Sequence, residues 1–432
     1  MNATRTRLTI TSFKSKELWM IAAIWLSVVA GTFNNLFSVA AFLLSAAAIV
    51  FWSEEKTICM LMFIMPLTNI FKMSPSSQSF FTYLILIYVI AYALKRQNIK
   101  MAFFVSIVCF CLFLLFQVVL SMHILRLIKL VTNLCFIYLV LDSRSGDNKN
   151  VFLFYIAGII VSSSMAYLDI VPNLVNYIGE QDLGYHFDHL ARFSGTYPDP
   201  NYYAINVIIS LCLVVLLNHN GQLSNLASTA LSGILVVFAL LTYSKSAFLM
   251  LVLPLLFLLY SKIKQRKYFI FLVLIAVGAV FAVNMFAGKI EILNTVLARF
   301  SDADDASSLT TGRTDLWMDY FNYLLANPLT LLFGKGLGAD ILNSHAAHNT
   351  YLDLLYYLGI VGSLILLYVF HVIGKLKKRE SKSNLLNKSV WICIIVMYFF
   401  LSELFYFDWR FHIIIAFLVN NTEIKQVGGG EL

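Results

Sequence analysis

Two histidines three residues apart, His345 and His348, stand just ahead of a long apolar run in SHAAHNTYLDLLYYLGIVG, residues 344–362. Histidine titrates at about pH 6.5, so one placed there is suited to take a proton from a weak nucleophile. The HxxH spacing could also ligate a metal, although a third ligand and the glutamate of HExxH are missing. A structural role at the edge of an apolar helix is the plain alternative. Asn349 follows directly, and Asp353 falls inside the run, ahead of Gly359 and Gly362.

A second chemistry-bearing stretch is ARFSGTYPDPNYYAIN, residues 191–206. Gly195, Pro198 and Pro200 impose turns before a new helix. Asp199 or Asn201 can cap that helix, whose first N–H groups beside Arg192 suit an anion; a capped helix start with no ligand is the other reading. TYSKSAF, residues 242–248, carries Lys245 between two serines, where phosphate or a carboxylate such as Glu403 or Asp408 would pair with it. Asp302 and Asp304 form a DxD pattern that could bind a metal or be a solvated acidic run. GKGLG, residues 334–338, lacks the spacing of a nucleotide-binding P-loop, and that reading is rejected.

The elements that must position these residues are apolar helices. Of 432 residues, 60% are hydrophobic and 12% charged, about half the charge of a soluble domain. Mean hydropathy is +0.79, which excludes a soluble or disordered chain. Runs near the length needed to cross a bilayer, about 20 residues, lie at 18–33, 35–52, 57–71, 79–94, 101–119, 123–141, 151–170, 202–218, 225–242, 246–261, 268–287, 349–373, 389–407 and 409–420. The last two could instead be one tilted helix. The runs do not alternate with period two, so a β-barrel is excluded. The fold expected is an all-α integral membrane protein, a polytopic bundle of 12–14 transmembrane helices forming a single membrane domain over 1–432.

About two thirds of the 31 lysines and arginines fall on one side if the N-terminus is cytoplasmic, which orients the chain with both termini inside. That explains the net charge of +8 without a nucleic-acid partner. The six cysteines fall within or at the ends of spans and read as packing residues. Two larger segments then face outward, 171–201 and 288–348. Within the second, RTDLWMDYFNYLLA at 313–326 reads as an amphipathic interfacial helix, with Leu316, Trp317, Tyr320, Phe321, Leu324 and Leu325 opposite Arg313, Asp315, Asp319 and Asn322. Basic residues left outside run against the orientation bias: Lys72, Arg126, Lys129, Arg192, Lys245, Lys289, Arg299, Arg313, Lys335 and Arg410. Snorkelling or ion pairing would account for several.

Five pieces in order, FSGTYPDPNYYA (193–204), TYSKSAF (242–248), TGRTDLW (311–317), LFGKGLG (332–338) and HNTYLDLLYYLGIVG (348–362), resemble the O-antigen polymerase and ligase superfamily of bacterial surface-polysaccharide assembly. They cover roughly the C-terminal half; the first 180 residues match only by hydropathy. The resemblance implies a GT-C-like glycosyltransferase of the inner membrane with a periplasmic active site, no cofactor, and undecaprenyl-diphosphate-linked repeat units as donor and acceptor. A chain-length regulator would be a protein partner, and membrane lipids the surroundings. It maps the family's histidine-asparagine motif onto His348 and Asn349, making His348 the expected base. Arg192, Arg313 and Lys245 are expected at the diphosphate, with Arg126 and Arg410 as further contacts and Asp199, Asn201, His345, Asn349 and Asp353 in support. The family's serine-arginine pair is here Ser244-Lys245, which keeps the charge and loses the bidentate fork. Polymerase is preferred over ligase on the PDPNYYA motif and span number. A flippase or other transporter, the reading from another class, predicts internal repeats that are not found.

Overall fold

The computed structural model describes residues 13–96, 98–121, 124–143, 148–171, 174–178, 192–252, 254, 312–337, 339–342, 346–377, 385–402 and 409–420, and these are the residues discussed below. They form α1 (Ser15–Ala30), α2 (Asn35–Phe51), α3 (Glu54–Ile64) with a 3-10 turn at Met65–Leu67, α4 (Phe80–Lys95), α5 (Met101–Ser121), α6 (Ile124–Ser143), α7 (Lys149–Tyr167) and α8 (Leu174–Ile178). The second half contains α9 (Pro200–His219), α10 (Asn225–Leu241), α11 (Arg313–Ala326), α12 (Pro328–Phe333), α13 (Thr350–Gly374), α14 (Leu385–Tyr398) and α15 (Trp409–Asn420). A further helical stretch begins at 245, and there is no strand among the described residues.

Four helices, α6, α7, α9 and α13, are long and apolar enough to cross a membrane, and α2, α4, α5, α10, α14 and α15 are further apolar helices, most of them shorter. The run at 57–71 becomes the 11-residue α3 and the 3-10 turn that Pro66 helps to start, rather than a full crossing. Half of 246–261 and all of 268–287 lie outside the described residues. α14 and α15 are separate helices packed on each other, so the final apolar stretch is not one tilted helix. Large apolar side chains such as Trp19, Phe51, Leu94 and Leu125 point outward from the bundle, an arrangement that lipid solvates and water does not.

The core is built around α9, in which every residue from Pro200 to Leu217 is buried. α7, α10 and α14 pack on it directly. Because lipid tails are as apolar as leucine, interhelical polar contacts and close packing hold such bundles together. Here Asn206 of α9 supplies the contact. Its Oδ1 accepts from Tyr155 Oη of α7 at 2.7 Å and from His412 Nε2 of α15 at 3.0 Å. An amide oxygen cannot donate, so His412 Nε2 carries the proton, and Nδ1 accepts from Tyr398 Oη of α14 at 3.4 Å. One buried asparagine thus joins α7, α14 and α15 to the central helix.

Polar residues collect at the two ends of the bundle. At one end lie the ion pairs Lys56–Glu17 (2.6 Å), Arg96–Glu54 (3.1 Å) and Arg96–Asp142, the contact of Lys100 Nζ with Leu376 O (3.1 Å), and that of Asn148 Nδ2 with Leu418 O (3.1 Å). The starts of α4, α6, α9, α11 and α13 gather at the other end, with the residues singled out for chemistry.

Candidate functional site at the starts of helices 9, 11 and 13

The approach to α9 is held on both sides. Asn69 Nδ2 donates to Thr196 O at 3.2 Å, Thr196 Oγ1 donates to Pro66 O, and Ser194 Oγ donates to Tyr197 O at 2.6 Å. Gly195 has φ +57°, and a Cβ there would stand 2.9 Å from the Tyr203 ring, so the turn requires glycine. Phe193 N donates to Leu241 O at 3.0 Å and its ring stacks on Phe238, which sets the preceding residue against the end of α10. Arg192 there donates through Nε to Thr242 O (3.1 Å) and through Nη2 to Asn201 Oδ1 (3.3 Å). Ser244 Oγ donates to the same Asn201 oxygen at 2.6 Å. Two segments distant in sequence, 192–201 and 242–244, therefore meet at the Asn201 amide.

Of the two candidate caps, Asp199 is the one used: its Oδ1 accepts from Asn201 N at 2.6 Å, with Pro200 opening the helix. This revises the anion reading. A carboxylate occupies the N-cap, so the positive character of the site comes from guanidinium groups and not from free amides of α9.

Arg313 opens α11 after Gly312, whose φ is +76°. Burial pulls its guanidinium below the ordinary value, while the Asp199 carboxylate and Tyr202 act in the opposite sense; an arginine in such surroundings stays charged. Arg313 therefore lies within electrostatic reach of the start of α9. α11 itself is pinned rather than loose. Trp317 Nε1 donates to Ala347 O at 2.9 Å, and Leu342 N donates to Tyr320 Oη at 3.2 Å. Its inward face differs from the one read from sequence: Tyr320 and Leu324 are buried and Arg313 half-buried, while Phe321 and Leu325 are more than half exposed. The helix carries its cation inward and part of its apolar surface outward, as an interfacial helix against lipid would.

The Trp317–Ala347 bond fixes α11 to the turn bearing His348. His348 is half-buried and has φ +46°, a left-handed conformation uncommon for a residue with a Cβ and often found at functional sites. The helix begins after it: Asn349 Oδ1 accepts from Tyr351 N (3.0 Å) and Leu352 N (3.2 Å), so Asn349 is the N-cap of α13. One turn on, Asp353 is buried with Ser402 beside it. Tyr202 Oη donates to Ser402 O at 3.4 Å and Thr350 Oγ1 donates to Leu401 O, which join the 401–402 segment to α9 and α13.

Arg126 and Arg410, the further contacts expected at the diphosphate, have other partners. Arg126 Nη1 donates to Leu337 O at 2.6 Å, in the 334–337 loop. That loop is docked on α13. Lys335 N and Gly336 N donate to the carbonyls of Tyr356 (2.8 Å) and Tyr357 (3.1 Å), and Gln117 Nε2 donates to Phe333 O (2.7 Å) and Tyr357 O (2.9 Å). The glycine-rich loop thus binds a kinked helix, and these amides are not arranged around a phosphate. Lys335 Nζ lies over the Tyr323 and Tyr356 rings, and its hydrogen bond to Tyr323 raises its pKa. Arg410 is buried against the rings of Phe81 and Phe411, 5.5 and 5.1 Å from their centroids. Lys245 is half-buried next to Ser244. His345, Asp302, Asp304, Glu403 and Asp408 lie outside the described residues.

Reading the sequence missed Gln117, Asn206 and His412. Each is a polar residue within an otherwise apolar helix, and that incongruity was the available signal.

Fold and site together describe an all-helical integral membrane protein with a guanidinium-lined group at one end of its bundle. Residues 230–367 match the family model for O-antigen ligase, which supports the O-antigen polymerase and ligase superfamily without dividing polymerase from ligase. The match spans most of α10, all of α11 and α12, and most of α13. Comparison with curated proteins and with solved structures found no match.

Proposed function

We propose that the protein is a glycosyltransferase that joins undecaprenyl-diphosphate-linked repeat units at the periplasmic face and releases undecaprenyl diphosphate, an O-antigen polymerase. The observation that carries this reading is the meeting of Arg192, Asn201 and Ser244 at the start of α9, with Arg313 within electrostatic reach of Asp199 and α11 tied to the turn of His348. As the anomeric C–O bond to the diphosphate breaks, its electron pair leaves with the phosphate. Fixed cations at that point stabilise the transition state more than the ground state. Arg192 and Arg313 are those cations, with Lys245 next to them in the turn.

The acceptor hydroxyl attacks the opposite face of the anomeric carbon and inverts it. His348 takes the hydroxyl proton, a contribution of about 10²–10⁴-fold in rate. No step needs a nucleotide. Arg126 and Arg410 hold backbone and aromatic rings in place and are assigned structural roles, a departure from their expected part in diphosphate binding. The description of the matched family favours a second reading, ligation of the lipid-linked glycan to lipid A-core.

The test is to incubate purified protein in lipid with a defined undecaprenyl-diphosphate repeat unit, with and without lipid A-core, and to resolve the products by gel. A ladder without core supports the polymerase, and its loss in His348→Ala supports the base. Product on core alone makes the protein a ligase, and no product with either acceptor returns it to the transporters.

A further inference from the structure

Asp353 is 3% exposed and its Oδ2 has no hydrogen-bond partner; Ser402 is 3% exposed and its Oγ has none either. The two side chains are neighbours that interact with each other, but no hydrogen bond of good geometry joins Ser402 Oγ to the carboxylate. Buried polar atoms are nearly always satisfied, so two adjacent orphans need an explanation. Loose packing does not provide one, because Thr350 Oγ1 and Tyr202 Oη both hold the 401–402 backbone. The pair is also placed next to the candidate site. Asp353 lies four residues after Asn349, on the same helical face and one turn deeper than the His348 turn.

We propose that Asp353 and Ser402 form a subsite for a sugar hydroxyl of the acceptor glycan, recessed between the first turns of α9 and α13; this rests on the glycosyltransferase reading. One hydroxyl satisfies both orphans, donating to Asp353 Oδ2 while accepting from Ser402 Oγ. A phosphate does not fit, because a carboxylate repels it. The subsite is therefore distinct in chemistry from the guanidinium group at Arg192 and Arg313, and it divides the two substrates: diphosphate to the arginines, acceptor sugar to the acid and the serine. Depth relative to His348 is suitable, since a hydroxyl anchored one turn below leaves a neighbouring hydroxyl of the same sugar at the base.

Polar groups left unsatisfied for a ligand weaken the unliganded fold, and removing them characteristically raises stability while lowering function. The test is thermal unfolding of the full-length protein in nanodiscs, with and without glycan released from the cell's surface polysaccharide by mild acid. Wild type is expected to be stabilised by the glycan. Asp353→Leu and Ser402→Ala are expected to unfold at or above the wild-type temperature without glycan and to bind it at least about 10-fold more weakly, near 1.4 kcal/mol. Asp353→Asn, which keeps an acceptor oxygen, should fall between. Absence of a glycan shift in wild type would overturn the proposal, as would a full shift retained in both Asp353→Leu and Ser402→Ala. If Asp353→Leu fails to fold, Ser402→Ala and Asp353→Asn decide by the same readout. Glycan stabilisation with no product on either acceptor would sink the glycosyltransferase reading and leave the subsite standing.

Discussion

Arg192 shows how much of the candidate site depends on the shape of one side chain. Its guanidinium reaches Thr242 O and Asn201 Oδ1 from different nitrogens, which a lysine cannot do. Arg192→Lys keeps the charge and breaks that fork. Arg192→Gln removes both, and with the charge goes a transition-state contact of the kind that contributes about 10²–10³-fold in rate. Product formation by purified protein should therefore fall about 10²-fold or more in Arg192→Gln and by less in Arg192→Lys, with folding retained in both as read by thermal unfolding. Equal activity of the lysine variant and wild type would show that charge alone suffices at this position. Asn201 and Ser244 are the partners to examine beside it, since Arg192 and Ser244 both donate to the Asn201 amide oxygen.

Helix starts were legible because they are local. Asp199 and Asn201 were the two candidate caps and Asp199 is the one used; a span from 349 was expected and Asn349 caps the helix that begins at Thr350. The break inside α13 was not legible, because it is made by a contact with a distant segment. Gly359 has φ +67° within the helix, and a Cβ on it would stand 2.3 Å from Gly334 N and 2.5 Å from Leu332 O. The kink lets the 334–337 loop sit on the carbonyls of Tyr356 and Tyr357, with Gln117 closing the joint from α5. The sequence showed two glycines and a glutamine, and nothing in their spacing linked them. Gly359→Ala meets both backbone overlap and an unfavourable φ, so it should abolish accumulation of folded protein. Gln117→Leu removes the side-chain donor from Phe333 O, at about 1–3 kcal/mol for a buried group left unmet, while Tyr357 O keeps its bond from Gly336 N. The variant's midpoint of thermal unfolding should drop by several degrees, and a midpoint equal to wild type would remove Gln117 from the account of how α12 and α13 are joined.

At the scale of the whole molecule, polarity rather than apolar burial sets the arrangement. Helices surrounded by lipid gain little from burying leucine, and the bundle is drawn together where Asn206 meets Tyr155 and His412. The same economy of polar groups divides its ends. Among the described residues, all three ion pairs, involving Lys56 and Arg96, lie at the end where Lys100 and Lys375 also fall, whereas Arg126, Arg192, Arg313 and Lys335 lie at the other. The proposed glycosyl transfer requires the first end to be the cytoplasmic one, as retention of lysine and arginine inside would have it, and the Arg192 group to face the periplasm. Two exposed lysines, Lys335 and Lys375, mark the ends. In a background with the six native cysteines replaced by serine, Lys335→Cys should react with a membrane-impermeant maleimide in intact spheroplasts. Lys375→Cys should react only after the membrane is opened. Reaction of Lys375→Cys in intact spheroplasts with protection of Lys335→Cys would invert the chain, move the arginine group to the cytoplasm, and leave the glycosyl transfer proposed above on the wrong side of the membrane for its substrate.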